Sequence, residues 1–199
     1  WYFAFDPAAT RPGPFTLPDT SKVQAEMMRG QIRGDYLDAQ GYKAAVLPYL
    51  GDADMVIVVP DRGRFGEVVA GFGANEYHDT LDRASTHQLK IVMPKFQIDT
   101  NAKLEPALSD LGMVEAFSPA ADFSGIADVG GLYLGGVIHK AFIEVDEEGT
   151  EAAAATAAYV NLSAPPRAKL TVNRPFLFII KHRTTGEIIF IGQVVDPTM

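Results

Sequence analysis

The side chains able to do acid–base, nucleophilic or metal chemistry in this chain are few and scattered. Four histidines, His78, His87, His139 and His182, include no pair at the His-x-x-x-His spacing that sets two imidazoles on one helical face for zinc. Histidines spread in this way serve more often as hydrogen-bonding tethers or solvated side chains than as catalysts. Ser124 stands in Phe-Ser-Gly, without the Gly-x-Ser-x-Gly elbow that exposes a nucleophile on a sharp turn. Asp146, Glu147 and Glu148 are adjacent, yet neighbours on an extended chain point to opposite faces, so they form a charge run and not an acid–base pair. Gly71-Phe-Gly73 lacks the third glycine of a dinucleotide loop, and it closes a predicted helix where such a loop would follow a strand. The chain has no cysteine, which excludes disulfides, thiolate metal sites and a cysteine nucleophile. No enzyme constellation is present, and no cofactor and no metal are expected.

What remains is a stretch more suited to being acted upon than to acting. Residues 147–175 read Glu-Glu-Gly-Thr-Glu-Ala-Ala-Ala-Ala-Thr-Ala-Ala-Tyr-Val-Asn-Leu-Ser-Ala-Pro-Pro-Arg-Ala-Lys-Leu-Thr-Val-Asn-Arg-Pro. Upstream, residues 137–145 read as a long buried strand, and downstream 176–180 and 188–192 read as a strand pair. Propensity favours a helix over 151–158, but eight residues without an apolar stripe make a marginal helix in water. As a strand, the segment would show Thr150, Ala152, Ala154, Thr156 and Ala158 on one face and Glu151, Ala153, Ala155 and Ala157 on the other. Nothing in it is larger than Thr except Glu151, so it would fit between two existing strands. Composition alone also allows an alanine-rich flexible linker.

The elements around this stretch are strand-rich. Residues 23–28, 36–37, 44–50 and 55–60 are strand-like, with a hairpin turning at Gly51-Asp-Ala-Asp54. A helix is predicted over 65–72, a long strand over 88–98 with Pro94 inside it, a short amphipathic helix over 104–111 ending at Gly112, and a strand over 132–145. The paired Met27 and Met28 suit gap-filling. There is no internal repeat and no linker. The 199 residues suffice for one domain, with 47% hydrophobic and 21% charged residues. A formal net charge of −8 argues against nucleic acid or an anionic membrane as partner, and no apolar run approaches the roughly 20 residues of a membrane span. Abundant Ala and Gly with few Lys hint at a prokaryotic source.

Two motifs carry a family resemblance. Glu147-Glu-Gly-Thr-Glu-Ala-Ala-Ala-Ala-Thr156 resembles the hinge of a serpin reactive-centre loop, and Leu170-Thr-Val-Asn-Arg-Pro-Phe-Leu-Phe-Ile-Ile180 resembles the serpin signature that follows it at nearly the expected separation. Leu47-Pro-Tyr-Leu-Gly-Asp-Ala-Asp-Met-Val-Ile-Val-Val-Pro60, Met93-Pro-Lys-Phe96, Ala120-Ala-Asp-Phe-Ser-Gly-Ile126 and the ending Val194-Val-Asp-Pro-Thr-Met199 are similar to further serpin segments. The resemblance covers the whole chain but only the C-terminal half, or slightly more, of a serpin. It implies an α+β serpin fold whose first helices and first strands of the large sheet would precede Trp1, and a reactive-centre loop at about residues 149–174. A leader cannot be judged from a chain that opens at Trp1 in this way; the family favours an extracellular or cell-surface location.

The implied function is inhibition of a serine protease, with cysteine proteases as a wider class, by a suicide-substrate trap and not by catalysis. The protease cuts the loop, forms a covalent acyl complex, and is carried off as the hinge inserts into the central sheet. Hinge residues would be Gly149, Thr150, Glu151, Ala152, Ala153, Ala154, Ala155 and Thr156. The reactive bond would lie among Leu162, Ser163 and Ala164, after Ser163 counting from Gly149 and after Ala164 counting back from Pro175. Small side chains there suit an elastase-like or subtilisin-like enzyme. Arg167 is the competing candidate, but Pro166 restricts the backbone beside it and it falls beyond the window from either end. Trp1 resembles the tryptophan at the breach where the loop enters the sheet, and His139 a histidine that bonds across the shutter. Lys95 and Glu147 are expected to pair at the loop's base, at an exposed site contributing about 0–1 kcal/mol. The other partner implied is the N-terminal half of the same serpin. The alternative is a non-inhibitory serpin, whether carrier, chaperone or substrate, or an inactive fragment lacking that half.

Overall fold

A computed structural model describes residues 1–127, 130–150 and 167–199. Among these, strands β1 (Arg11–Thr16), β2 (Lys22–Ala39), β3 (Tyr42–Pro48), β4 (Ala53–Pro60), β5 (Ser85–Pro94), β6 (Phe96–Lys103), β7 (Ile138–Val145), β8 (Arg167–Thr171), β9 (Phe176–His182) and β10 (Ile188–Val194) accompany helices α1 (Phe65–Gly71), α2 (Ala74–Arg83) and α3 (Glu105–Asp110). The chain divides into two units, Trp1–Gln97 with Glu144–Met199, and Ile98–Ile143.

The first unit is organised on an eight-stranded sheet of order β10-β9-β4-β3-β2-β5-β8, with β1 on β2. All its pairings are antiparallel except β5 with β8. β2, 18 residues long, serves several partners. Met27 pairs with both Arg11 and Pro94, and Asp35 with both Val46 and Thr86, so β5 takes one edge while β1 and β3 share the other. Against the interval between β1 and β3 lies the aromatic opening of the chain. A Cβ at Gly30 would fall 2.9 Å from the Phe5 ring, which is why that position has no side chain.

β4 is buried without interruption from Asp54 to Pro60, as expected of a strand covered on both faces. On one face Val56 and Val58 pack with Leu37, Ala44, Tyr77, Leu177 and Ile179, beneath Val68, Val69 and Phe72 of the α1 region and Leu81 of α2. In the opposite phase Met55, Ile57, Val59, Phe178 and Ile180 are buried as well. Each such side chain contributes about 1.5–3 kcal/mol on leaving water, so the β3-β4-β9 hairpin and its neighbour hold the unit together. Met27 and Met28 are both buried because the inward phase of β2 changes there, from Ala25 and Met27 to Met28 and Ile32.

Several sequence expectations need correction. Residues 74–83, given no element from sequence, form α2, with Glu76 reaching back to the Gly73 N–H at 3.3 Å. Its surface is so charged that only Tyr77, Thr80 and Leu81 mark the buried stripe. The strand expected over 88–98 is two strands in two sheets. Pro94 has no N–H for the ladder, β5 ends there, and the Lys95 N–H turns to the Glu26 carbonyl at 2.8 Å before β6 begins. The strand expected from 132 begins at Ile138, and it is not buried along its length. Only Ile143 and Val145 are buried, while Ile138 and Phe142 are exposed, since among the described residues β6 is the sole ladder partner of β7. Residues 167–171, expected within the loop, form β8 with their backbone committed to β5 and Leu170 in the core.

The Ile98–Ile143 unit contains most of the two-stranded β6–β7 sheet together with α3. Leu104 N–H donates to the Val137 carbonyl at 2.8 Å, and Gly112 at φ +100° ends the helical segment as expected. Among the described residues no helix is long and apolar enough to cross a membrane.

Candidate functional site

The chain leaves β7 through a tight turn. Asp146 N–H donates to the Gly149 carbonyl at 3.0 Å, and the Asp146 side chain accepts from the N–H groups of Glu148 and Gly149 at 2.9 and 3.2 Å. Asp suits this position because its short carboxylate mimics a backbone acceptor. Gly149 sits at φ +140°, and a Cβ there would lie 2.7 Å from the Trp1 backbone nitrogen. Only glycine satisfies both conditions.

Around this turn the unit builds an aromatic and polar clamp. The Trp1 indole is buried, stacks on Tyr49 at 4.6 Å between centroids with planes 9° apart, and meets Phe5 edge-on at 6.0 Å. Its Nε1 donates to the Asp146 carbonyl at 2.8 Å, and the Phe5 N–H donates to the Glu147 carbonyl at 2.9 Å. Tyr49 OH and Thr150 Oγ1 share a hydrogen bond of 2.6 Å. Burial pushes the Tyr49 phenol up, so it stays neutral and able to donate. Tyr49 is fixed in turn from beneath. Arg183 donates to the carbonyls of Tyr49 and Ala53 and to Asp54, whose other oxygen takes the buried Lys181 Nζ at 2.9 Å.

Glu147 is the charged centre of the clamp. Its Oε1 accepts from Thr10 Oγ1 at 2.6 Å and its Oε2 lies 2.8 Å from Lys95 Nζ. The site differs from the exposed one expected. The Glu147 side chain is 10% exposed and that of Lys95 is 39% exposed, so the carboxylate is sunk and only the ammonium reaches water. Burial pushes the Glu147 carboxyl up, but the hydrogen bonds from Lys95 and Thr10 prevail and hold it below the usual carboxylate value. Lys95 is raised, chiefly by the same hydrogen bond.

Trp1, Lys95, Glu147, Gly149 and Thr150 are therefore brought together. His139 lies exposed on β7 in the Ile98–Ile143 unit. Glu151, Ala152, Ala153, Ala154, Ala155 and Thr156 of the expected hinge, and Leu162, Ser163 and Ala164 of the expected bond, lie outside the described residues. Sequence reasoning missed Thr10, Tyr49 and Asp146. Thr10 and Tyr49 carry no local signal, since their importance comes from contacts more than 100 residues away; Asp146 two residues before Glu148 was legible as an Asx turn. Among the described residues no three His, Asp or Glu side chains gather as a metal site. What the clamp can do is fix where the chain departs from β7.

The family model that matches is described as "Serpin (serine protease inhibitor)" and spans residues 1–197. An α1-antitrypsin homolog from Cyprinus carpio is 36% identical over 203 residues, covering 100% of this chain and 54% of that protein. An uncharacterised serpin-like protein from Thermococcus kodakarensis is 35% identical, covering 99% and 47%. A solved structure of thyroxine-binding globulin in complex with thyroxine superposes with a TM-score of 0.87 at 30% identity, covering 100% of this chain and 54% of that one. The chain thus spans about half the length of the curated relatives it matches.

Proposed function

The chain belongs to the serpin family, whose members are generally protease inhibitors and not enzymes, and from that premise we propose that the protein carrying it inhibits a serine protease by a single-use conformational trap. The enzyme's serine oxygen attacks the carbonyl carbon of the bond near Ser163, the new amine leaves with the C-terminal peptide, and an ester joins the enzyme to the N-terminal side of the cut. The freed segment after Gly149 then inserts as a strand of the large sheet. Serpin loop insertion is itself the standing example of such strand addition and of strain released by a cut. The ester is carried away and the catalytic site deformed before water can hydrolyse it.

The observation that carries this reading is the clamp. A trap needs one end of the loop held firm while the other swings, and Glu147 bonded to both Lys95 and Thr10 supplies a fixed end three residues before the small hinge side chains begin. Thr150, whose hydroxyl bonds Tyr49, is the residue from which the loop is taken to turn. The reading also draws on sequence, where Thr150 to Thr156 carries no proline and, apart from Glu151, nothing larger than Thr. A new central strand of about ten residues adds ten or more backbone hydrogen bonds at roughly 0.5–1.5 kcal/mol each, enough to drive a large rearrangement.

Incubation of the complete protein with an elastase-like or subtilisin-like protease tests this. A covalent band resistant to SDS, at the summed mass less the released peptide, is expected. Stoichiometric cleavage with no such band would favour the second reading, a serpin that carries or presents something without inhibiting. The likeness to thyroxine-binding globulin is the observation behind that alternative.

A further inference from the structure

Three connections of the first unit converge on one cavity of about 590 Å³: the β1–β2 turn, the loop between β4 and α1, and the link from β8 to β9. Backbone bonds tie them in place. Thr16 N–H donates to the Asn173 carbonyl at 2.9 Å, and Leu17 N–H donates across the turn to the Ser21 carbonyl at 2.8 Å. Thr20, on the cavity wall, is the one non-glycine among the described residues at positive φ, +72°. A β-branched residue is strained there, and such strain persists where its surroundings impose a particular shape.

The lining combines two chemistries. Leu17, Pro18, Phe65 and Pro175 supply apolar walls, while Lys22, Arg62 and Arg174 set positive charge against the single carboxylate of Asp61. Arg174 is half-buried and braced: its Nε donates to the Pro60 carbonyl at 2.7 Å and its Nη1 to Asn173 Oδ1 at 3.3 Å. These bonds set the plane of the guanidinium. Its further N–H groups sit on Nη1 and Nη2, the fork that grips a carboxylate through two parallel bonds. Burial works against the Arg174 charge most; Asp61 offsets part of this and Arg62 adds to it. An arginine does not escape such a setting by losing its proton, so the cavity favours an anion.

We propose that this cavity binds a small amphipathic carboxylate, an apolar body bearing one carboxylate group that pairs with Arg174. The volume falls within the range of about 300–1,000 Å³ usual for small-molecule sites, and mostly apolar walls with a few placed polar groups are their ordinary composition. The walls suit an organic body better than a hydrated inorganic ion. Asp61, beside the fork, disfavours a second negative charge on the ligand. The site does not depend on the inhibitory reading.

Calorimetric titration of the complete protein with naphthylacetate, its neutral amide and inorganic phosphate tests this. One site with a dissociation constant of about 0.1–1 mM is expected for the acid. The amide should bind about tenfold more weakly, and phosphate should not compete. Arg174→Gln should weaken the acid about tenfold and leave the amide unchanged. Because Arg174 also braces the Pro60 carbonyl, Gly66→Leu serves as a second variant. Gly66 lines the cavity from α1 and a Cβ there meets no atom within 4 Å, so the added side chain occupies the space without disturbing the helix. It should weaken acid and amide alike without lowering the urea midpoint. Absence of saturable acid binding at about 5 mM overturns the proposal, and that includes the case in which the N-terminal half of the protein fills the cavity. Equal binding of acid and amide overturns it, as does acid binding left untouched by either variant. Phosphate competing on equal terms also overturns it and reassigns the cavity to inorganic anions.

Discussion

Replacing Glu147 by Gln keeps the shape of the clamp and removes its charge. A hydrogen bond to a charged group contributes about 1.5–3 kcal/mol when buried, and Glu147 makes two such contacts from a side chain that is 10% exposed. The bond from Thr10 survives in part, because a glutamine carbonyl still accepts. The contact with Lys95 is lost, but that side chain is 39% exposed, which brings its share down toward about 0.5–1 kcal/mol. The substitution is therefore expected to cost about 1–2 kcal/mol. Urea unfolding of the complete protein reads this cost, with the Trp1–Tyr49 stack as one reporter of the site. Combined with Lys95→Met in a double-mutant cycle, the pair should show a coupling of about 0.5–1 kcal/mol. The folded-state carboxyl titrates below its ordinary value of 4.5, so the stabilisation is complete above that pH and is lost as pH falls through the lowered folded value. The gap between native protein and the Gln variant should hold steady from pH 8 to about 5.5 and close on acidification. A gap that widens in acid, or a coupling near zero, refutes the anchoring role.

Three further substitutions test neighbouring links. Tyr49→Phe removes the hydroxyl on Thr150 while keeping the indole stack; a loss of about 0.5–1.5 kcal/mol and a shorter half-life of the native form on mild heating are expected, and an unchanged half-life would show that the bond does not restrain the loop. Gly149→Ala places a Cβ 2.7 Å from the Trp1 nitrogen at φ +140°, so a cost of about 1–3 kcal/mol is expected from urea midpoints, and a neutral result would contradict the turn geometry. Thr150→Arg should turn inhibitor into substrate, since an unpartnered guanidinium resists burial in a sheet. Normal cleavage without trapped enzyme is expected, with mass spectrometry finding a released peptide that begins at Ala164 or Pro165; undiminished complex, or a peptide beginning at Ala168, sinks the corresponding assignment.

Strands with strong apolar phase, such as β4 and β9, were legible because their burial follows from their own residues. So was the Lys95–Glu147 pair, though only through resemblance, and its burial was not legible because the depth of Glu147 depends on Thr10, 137 residues away. β7 misled in the opposite direction. Ile138 and Phe142 read as core, but whether a strand face is covered depends on neighbours its own sequence does not encode. The break at Lys95 was half visible in Pro94, whose missing N–H ends the ladder, yet the change of sheet is a tertiary event. α2 was hidden because a helix with two buried side chains leaves almost no periodic apolar signal.

The place of β9 in the sheet also sets a timetable for synthesis. β4 is buried on both faces, yet one of its two ladder partners is β9, which begins 116 residues after β4 ends, counting from Pro60 to Phe176. At about 5–20 residues per second a ribosome takes roughly 6–23 s to cover that interval. During that time a continuous apolar strand waits with a bare edge, the geometry most open to pairing with another nascent chain. Chains stalled after Thr171 should accordingly be digested within β4 by added protease, whereas chains in which β9 and β10 have emerged should resist. Folding of this sheet is thus gated by the last strands to emerge, and the cell must shelter its most hydrophobic strand until they arrive.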